Sequence, residues 1–225
     1  MDRDTRARIN DFSLKIGTVN GTGSASANGL LMQAVFRMGV PVSGKNVFPS
    51  NIQGLPTWYE IRVNSDGYDA RVAQFDVMVA MNPKTHERDI TEVRTGGYVV
   101  YDSSRPLDEA LMRDDVTFFG VPMSKMCVEN FSGGRERLLM TNIVYVGTLV
   151  ALLNIDPEVV RSLLDEKFSA KPKLMESNEV AIRLGYEYAK EHFDCPLPVQ
   201  LETSYGTEGC VLLTGNAAAA LGCVY

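Results

Sequence analysis

Residues 14–39 read LKIGTVNGTGSASANGLLMQAVFRMG, a sequence typical of a strand, a glycine-rich turn and a helix. The apolar start predicts a buried strand that ends at Val19. Gly21 and Gly23 then permit a tight turn, because a residue without a Cβ adopts backbone conformations that other residues avoid. We expect Ser24 to cap the helix by accepting a backbone N–H with its side-chain oxygen.

The helix after this turn is predicted from apolar residues at helical spacing, which are Ala27, Leu30, Leu31, Ala34, Val35 and Met38. Gly39 is expected to end the helix, and Pro41 cannot continue it. A strand, a turn and a helix in this order form the first unit of an α/β domain. We therefore predict a three-layer Rossmann-like sandwich with a mostly parallel or mixed sheet.

The turn has two interpretations. A helix amino terminus can hold an anion, since its first backbone N–H groups lack acceptors and its dipole is positive there. The turn is therefore a candidate cofactor-binding site with five members, Asn20, Gly21, Thr22, Gly23 and Ser24. Alternatively, the glycines only let the strand and the helix pack closely. The spacing does not match the dinucleotide-binding fingerprint, because Gly17 falls inside the strand and Gly29 inside the helix.

The composition excludes several classes of protein. The chain has 225 residues, enough for one sizeable core, and its net charge of −6 argues against a nucleic-acid-binding surface. The charged amino terminus is not a secretory signal, and no apolar run is long enough to span a membrane, so we expect a cytoplasmic protein. The chain has four cysteines, which are Cys127, Cys195, Cys210 and Cys223. They are too far apart in the sequence for a zinc site or an iron–sulfur cluster.

Residues 43–57 are rich in glycine, proline and polar side chains and predict a long loop. Long loops in compact domains are often functional, and this one carries several donors. The alternative is a surface loop whose polar groups satisfy one another. The donors are Lys45, Asn46, Ser50, Asn51 and Gln53.

Five stretches between the loop and the helical half predict further strands. Residues 58–63 and 68–72 alternate in polarity and predict a hairpin, within which Glu60 is expected to be an exposed or interface acid. The apolar run 75–81 predicts a central strand covered on both faces. A short helix over 84–93 and strands over 96–101 and 116–121 follow, and His86 is expected to be a surface residue.

The second half is predicted to be helical. One helix begins at Arg135 and is apolar nearly all round from Ile143 to Leu153, so it should be buried. Asp156 and Pro157 are typical of the start of a second helix, and a third covers residues 176–192. A stiff linker at 195–198, a short strand at 210–213 and an apolar helix from residue 214 follow. Because that helix reaches the last residue, we expect a piece of a longer protein.

Five motifs together resemble the alpha subunit of 2-oxoacid:ferredoxin oxidoreductases, especially the 2-oxoglutarate type. They are IGTVNGTGSASAN at 16–28, MGVPVSGKN at 38–46, FPSNIQGLPTWYEIRV at 48–63, VAMNP at 79–83 and TGNAAAALG at 214–222. In that family the alpha subunit often begins with a fused gamma domain. The resemblance implies a lead-in at 1–12, a gamma domain at 13–193, a linker at 194–210 and the truncated start of a thiamine-associated, pyrimidine-binding domain at 211–225.

The resemblance implies a part in the CoA-dependent oxidative decarboxylation of a 2-oxoacid, with 2-oxoglutarate favoured, to acyl-CoA, CO₂ and reduced ferredoxin. It places thiamine diphosphate, magnesium and iron–sulfur clusters on other subunits or domains, among them the beta subunit, and ferredoxin binds through the complex. The motif Tyr-Pro-Ile-Thr-Pro, which follows the alanine-rich helix in the family, is absent from this chain. The chain alone is therefore expected to be inactive.

Within the family the gamma domain is linked with coenzyme A, which makes the turn at 20–24 a candidate coenzyme A site together with Lys45, Asn46 and Arg62. No catalytic residue and no metal ligand is predicted. Two alternatives remain: a non-catalytic assembly domain, in which Lys45 and Arg62 form ion pairs between subunits, and an independent nucleotide-binding domain.

Overall fold

The computed structural model describes residues 7–48 and 55–224. Its strands are β1 (Arg8–Ile9), β2 (Asp11–Val19), β3 (Val42–Val47), β4 (Pro56–Asn64), β5 (Phe75–Ala80), β6 (Val93–Asp102), β7 (Thr117–Val121) and β8 (Val199–Gln200). Its helices are α1 (Ser24–Arg37), α2 (His86–Thr91), α3 (Met123–Asn130), α4 (Gly134–Leu152), α5 (Pro157–Phe168), α6 (Pro172–His192) and α7 (Gly215–Gly222).

A six-stranded sheet in the order β3-β4-β2-β5-β6-β7 forms the centre of the fold. Strands β2, β5, β6 and β7 are parallel, whereas β4 runs antiparallel to both β2 and β3. The predicted α/β sandwich with a mixed sheet is therefore confirmed.

The two faces of the sheet are covered unequally. Residues such as Ile16 of β2 and Val79 of β5 pack under α1 and α4 in one large core. Met78 and Ala80 point the other way, into a smaller core with Ile90 of α2. All six residues of β5 are buried, as expected for a central strand covered on both faces.

The prediction of a loop over residues 43–57 is wrong for the first residues of that segment. Val42–Val47 forms β3, the edge strand of the sheet, which pairs with β4 from Val47↔Trp58 to Val42↔Val63. Glycine, lysine and asparagine are poor strand formers, but pairing with a long neighbour overrides their propensity, and an edge strand tolerates them. The predicted donors Ser50, Asn51 and Gln53 lie outside the described residues.

The prediction of a hairpin over residues 58–72 is also wrong. The turn after β4 exists, because the Asn64 side chain accepts hydrogen bonds from the backbone N–H groups of Asp66 and Tyr68, both over 3.0 Å. Residues 68–72 nevertheless form no strand. Both edges of β4 are already paired, with β2 on one side and β3 on the other, so no hydrogen-bonding edge remains for a third partner.

Two segments predicted to lie outside the domain pack into it. Within the lead-in, Arg8–Ile9 pairs in parallel with Val199–Gln200, and Phe12 is buried in β2. The Asn10 carboxamide donates to the carbonyl oxygen of Glu202 over 2.8 Å and accepts from its N–H over 2.9 Å. In the predicted linker, the alternating residues Leu197, Val199 and Leu201 are buried. Their apolar side chains have a core to enter, and this contact outweighs the stiffness of the Pro-Leu-Pro sequence.

The helical half follows the prediction closely. Helix α4 is buried along nearly its whole second half, and the Asp156 carboxylate accepts from the N–H of Glu158 over 2.9 Å at the start of α5. Helix α6 begins at Pro172, earlier than predicted, because proline is tolerated at the first helical position. Helix α3 was not predicted, and residues 210–213 form no strand, contrary to the prediction.

None of the helices in the described ranges is long and apolar enough to cross a membrane.

Candidate functional site

A cleft of about 240 Å³ opens where β2 ends and α1 begins. One wall is the turn after β2 with the first turn of α1, and the other is the pair β3 and β4. All of the lining side chains are uncharged, and they belong to Thr18, Asn20, Ser24, Ala25, Asn28, Asn46, Phe48, Thr57 and Trp58.

The turn between β2 and α1 lines the cleft with Asn20 and Ser24 but not with Gly21, Thr22 or Gly23, and it needs its glycines for its conformation. Gly21 and Gly23 have φ values of +88° and +85°, in the left-handed region that favours glycine. The N–H of Asn20 donates to the carbonyl oxygen of Leu55 over 2.9 Å, and that of Thr22 donates to Val19 over 3.3 Å. These bonds tie the turn to its own strand and to the residue that precedes β4.

The structure corrects the role of Ser24. Gly23 is the N-cap of α1, and no side chain caps the helix. Ser24 is instead the first helical residue, and its buried hydroxyl accepts a hydrogen bond from Thr18 Oγ1 over 2.9 Å. The N–H of Ser26 donates to the carbonyl oxygen of Gly23 over 3.2 Å, which leaves those of Ser24 and Ala25 without an acceptor among the described residues. These two N–H groups can bind an anion.

Helix α4 supports the turn from behind. Asn142 Nδ2 donates to the carbonyl oxygen of Thr22 over 2.8 Å. Three residues further along α4, the hydroxyl of Tyr145 donates to Asn28 Oδ1 over 2.7 Å. Both α4 side chains are buried, so the turn and the start of α1 are held by the core of the domain.

Of the three predicted residues outside the turn, only Asn46 lies at this cleft. It is paired with Tyr59, whose ring belongs to the core beneath α1. Residues directly opposite on antiparallel strands share a face, and successive residues alternate. Lys45 therefore faces the other side of the sheet, where it lines a separate cleft with Glu60 and Arg71.

Arg62 lies at the far end of the sheet. It pairs with Ser13, six residues before Val19, which places it about 20 Å from the turn at ~3.3 Å per residue. Its guanidinium binds the Asp11 carboxylate over 2.6 Å and the carbonyl oxygen of Phe12 over 3.0 Å. The structure therefore does not bring Arg62 and the turn to one ligand.

The expectation that Glu60 is an exposed or interface acid is wrong. Its side chain is buried, and its carboxylate accepts two hydrogen bonds from Arg71, both over 2.8 Å. The buried Lys15 ammonium lies 3.3 Å from Glu60 and 2.5 Å from Glu92. Glu60 is thus one member of a charged cluster on the side of the sheet away from α1.

The cleft wall at Trp58 is fixed by a buried carboxylate. Trp58 Nε1 and Thr85 Oγ1 each donate to Asp89, both over 2.7 Å. A Cβ on Gly17 would lie 2.7 Å from the Asp89 carboxylate, which explains the glycine inside β2. Burial raises the pKa of Asp89 above its usual value, although the two hydrogen bonds oppose the shift.

His86 and the cysteines do not gather into a metal site. His86 is half-buried, with Nε2 lying 3.2 Å from the carbonyl oxygen of Ala80. Within residues 7–48 and 55–224, no group of three or more histidine, cysteine, aspartate or glutamate side chains could hold a metal ion.

Sequence reasoning missed Tyr145 behind the cleft and six of the nine residues that line it, which are Thr18, Ala25, Asn28, Phe48, Thr57 and Trp58. A signal existed for Asn28, because it falls on the buried stripe of α1 between Ser24 and Leu31, where a polar side chain needs a partner. Phe48 had no such signal. The residue is 65% exposed where it lines the cleft, and only the pairing of β3 puts it there.

Comparison with known proteins identifies relatives of this chain among 2-oxoacid oxidoreductase subunits. The 2-oxoacid:ferredoxin oxidoreductase 2 subunit alpha of Aeropyrum pernix is 23% identical over 94% of this chain, which spans 39% of that protein. The 2-oxoglutarate synthase subunit KorC of Methanocaldococcus jannaschii is 25% identical over 59% of this chain and 68% of its own length.

Solved structures show the same fold. The 2-oxoglutarate:ferredoxin oxidoreductase of Magnetococcus marinus matches 96% of this chain with a TM-score of 0.84 and 24% identity, over 37% of its own chain. A keto/oxoacid ferredoxin oxidoreductase gamma subunit from Geobacter sulfurreducens matches 80% of this chain and 99% of its own, with a TM-score of 0.65 and 17% identity. Residues 13–188 match the family described as pyruvate ferredoxin/flavodoxin oxidoreductase, and the chain therefore belongs to that family.

Proposed function

We propose that this chain is the gamma-type part of a 2-oxoacid:ferredoxin oxidoreductase. The complete enzyme would decarboxylate a 2-oxoacid with coenzyme A, giving acyl-CoA, CO₂ and reduced ferredoxin, with 2-oxoglutarate as the favoured substrate. The observation that carries this proposal is the family match over residues 13–188. The names of the relatives from Methanocaldococcus jannaschii and Magnetococcus marinus favour 2-oxoglutarate.

The cleft at the start of α1 is the part of the chain that we assign to coenzyme A. The first N–H groups of α1, at Ser24 and Ala25, can donate to a phosphate, and Asn46 lies on the opposite wall. The exposed ring of Phe48 at the cleft mouth offers a surface on which an adenine could stack. The Magnetococcus marinus protein, which shares this fold, is described with coenzyme A bound.

Other parts of the enzyme would carry the redox chemistry. The four cysteines range from buried to exposed, and none of the described residues offers a set of metal ligands. We therefore infer that thiamine diphosphate, magnesium and iron–sulfur clusters bind to the beta subunit or to other domains. The match to 99% of a separate gamma subunit supports a gamma domain over 13–193. Residues 194–210 would then be the linker, and residues 211–225 would be the start of the thiamine-associated, pyrimidine-binding domain.

Calorimetric titration of coenzyme A into the complex of this protein with the beta subunit tests the proposal. Asn46→Ala is expected to weaken binding about fivefold, equivalent to one hydrogen bond of ~1 kcal/mol. Lys45→Ala is the matched control, since the adjacent residue faces the other side of β3, and it should change affinity less than twofold. A tenfold loss in Lys45→Ala would instead place the ligand on the Glu60 face.

The second candidate is an assembly domain that touches no ligand. One observation favours it: Lys45 is exposed on the edge strand and forms no ion pair with any residue in the described part of the chain. A complex that forms with the beta subunit and turns over 2-oxoglutarate, yet shows no effect of Asn46→Ala on the KM for coenzyme A, would support this candidate and contradict the ligand site.

A further inference from the structure

Asn28 presents an unusual combination of burial and an open hydrogen-bonding group. The residue is only 3% exposed, and its Oδ1 accepts a hydrogen bond from the hydroxyl of Tyr145 over 2.7 Å. Tyr145 has no exposed surface, and burial raises the pKa of its hydroxyl, which therefore stays protonated and able to donate. This bond fixes which end of the carboxamide faces the core.

The other end of the carboxamide faces the cleft. Within residues 7–48 and 55–224, Asn28 Nδ2 has no hydrogen-bond partner, yet every fully buried side-chain nitrogen and oxygen atom there has one. Nδ2 is therefore not fully buried, and the cleft is the space that Asn28 lines. A side chain that is nine-tenths buried and leaves one donor unpartnered points to a ligand, because buried polar groups are normally hydrogen-bonded.

Nδ2 lies beside the other donors of the cleft. Asn28 follows Ser24 by four residues, so both lie on one face of α1, with Asn28 one turn above the helix start. The helix start and Nδ2 thus offer hydrogen-bond donors to the same space. None of the cleft-lining side chains carries a charge, so neither a cation nor a carboxylate competes for these donors.

We propose that the Asn28 carboxamide donates a hydrogen bond to a phosphoryl oxygen held at the amino terminus of α1, and that Tyr145 is the positioning residue that orients it. The phosphate is held by neutral donors alone. The identification of that phosphate with the diphosphate of coenzyme A rests on the proposed function; the same donors would take a free pyrophosphate.

The test uses the complex with the beta subunit and two probes, coenzyme A and inorganic pyrophosphate. Asn28→Asp keeps the size of the side chain and its hydrogen bond with Tyr145 but replaces the Nδ2 donor with a carboxylate oxygen. It should lower the affinity for both probes at least tenfold. Because neutral donors hold the phosphate, wild-type affinity for pyrophosphate should fall less than threefold between 50 and 200 mM salt. Salt screens the attraction between charged side chains and an anion, and no charged side chain lines the cleft.

Tyr145→Phe should raise the KM for coenzyme A three- to tenfold while kcat and the KM for 2-oxoglutarate stay unchanged, a split that a general loss of stability would not produce. Thr148→Val, a buried change one turn further along α4, is the matched control and should leave the KM for coenzyme A unchanged. If Asn28→Asp fails to fold, Asn28→Ser replaces it, with the same expected loss.

The outcomes separate the two proposals. Coenzyme A binding that is unchanged by Asn28→Asp overturns the role of Asn28 and leaves the proposed function standing. Pyrophosphate binding that needs Asn28, without any binding of coenzyme A, supports the phosphate site and overturns its assignment to coenzyme A. Binding of neither probe to the folded complex overturns both.

Discussion

Asn142 on α4 donates a hydrogen bond from Nδ2 to the carbonyl oxygen of Thr22 over 2.8 Å, and so joins the helical half of the chain to the turn that follows β2. The two residues are 120 positions apart in the sequence. The conformation of the turn therefore depends on where α4 packs as well as on its own glycines.

Asn142→Ala should destabilise the fold by about 1–3 kcal/mol, because it removes a buried hydrogen bond and leaves the Thr22 carbonyl without this partner. Urea unfolding of the purified protein measures this free energy. Asn130→Ala is the control, since Asn130 is exposed and its side chain bonds, among the described residues, only the carbonyl oxygen of Met126, over 2.9 Å. It should change stability by no more than about 0.5 kcal/mol, and an equal loss in both variants would contradict the role of Asn142.

Gly17→Ala should also destabilise the fold, by about 1–3 kcal/mol, because its Cβ would lie 2.7 Å from the Asp89 carboxylate and 3.2 Å from the Trp58 ring. Gly29→Ala is the matched control. Gly29 lies in α1 with nothing within 4 Å of an added Cβ, so alanine there should be neutral or stabilise by up to ~1 kcal/mol. Chemical denaturation of both variants tests the pair, and a neutral Gly17→Ala would show that Asp89 can move aside.

Lys15→Met should cost about 3 kcal/mol. The Lys15 ammonium is buried between the carboxylates of Glu60 and Glu92. Without it, these carboxylates keep as ion-pair partners among the described residues only the exposed Arg71 and Arg88. The exposed pair of Arg161 with Glu158 provides the comparison, because Arg161→Ala should cost no more than about 0.5 kcal/mol. If the two variants unfold at the same urea concentration, the buried cluster contributes no more than a surface ion pair.

Asp89→Asn should change the dependence of stability on pH. Burial raises the folded-state pKa of Asp89 above its unfolded value of 3.8, so the folded protein holds this proton more tightly. Its contribution to stability therefore falls as pH rises from 3.8 through the folded pKa. Relative to the wild type, Asp89→Asn should gain stability between pH 4 and pH 7, as measured by thermal unfolding at both values.

Asp115→Asn is the control, because the pKa of Asp115 is lowered and its effect on the pH dependence of stability has the opposite sign. Hydrogen bonds from Arg113 and Thr95 hold the pKa of Asp115 down at about 2. Its contribution is present above pH 3.8 and is lost as pH falls toward 2, so Asp115→Asn should lower thermal stability at pH 7. A matching change in both variants would rule out burial as the cause at Asp89.

Local patterns in the sequence determined most of the fold. The apolar run of β5, the glycine-rich turn, the buried character of α4 and the Asp156 cap all depend on residues within a few positions of one another, and each is confirmed. Propensity and periodicity are properties of such short stretches, which is why they can be read without coordinates. The family resemblance rests on the same stretches and is confirmed by the match over residues 13–188.

Only the tertiary structure decided which residues share a site. Lys45 and Asn46 are adjacent in sequence yet face opposite sides of the sheet, and Arg62 lies at the end of the sheet remote from the turn. Conversely, Tyr145 reaches Asn28 across 117 positions. Strand register and helix packing set these relations, and they depend on long-range pairing of backbone edges and apolar faces. The sequence of this protein therefore determined its elements and its family, whereas the membership of the cleft arises only when distant segments pack together.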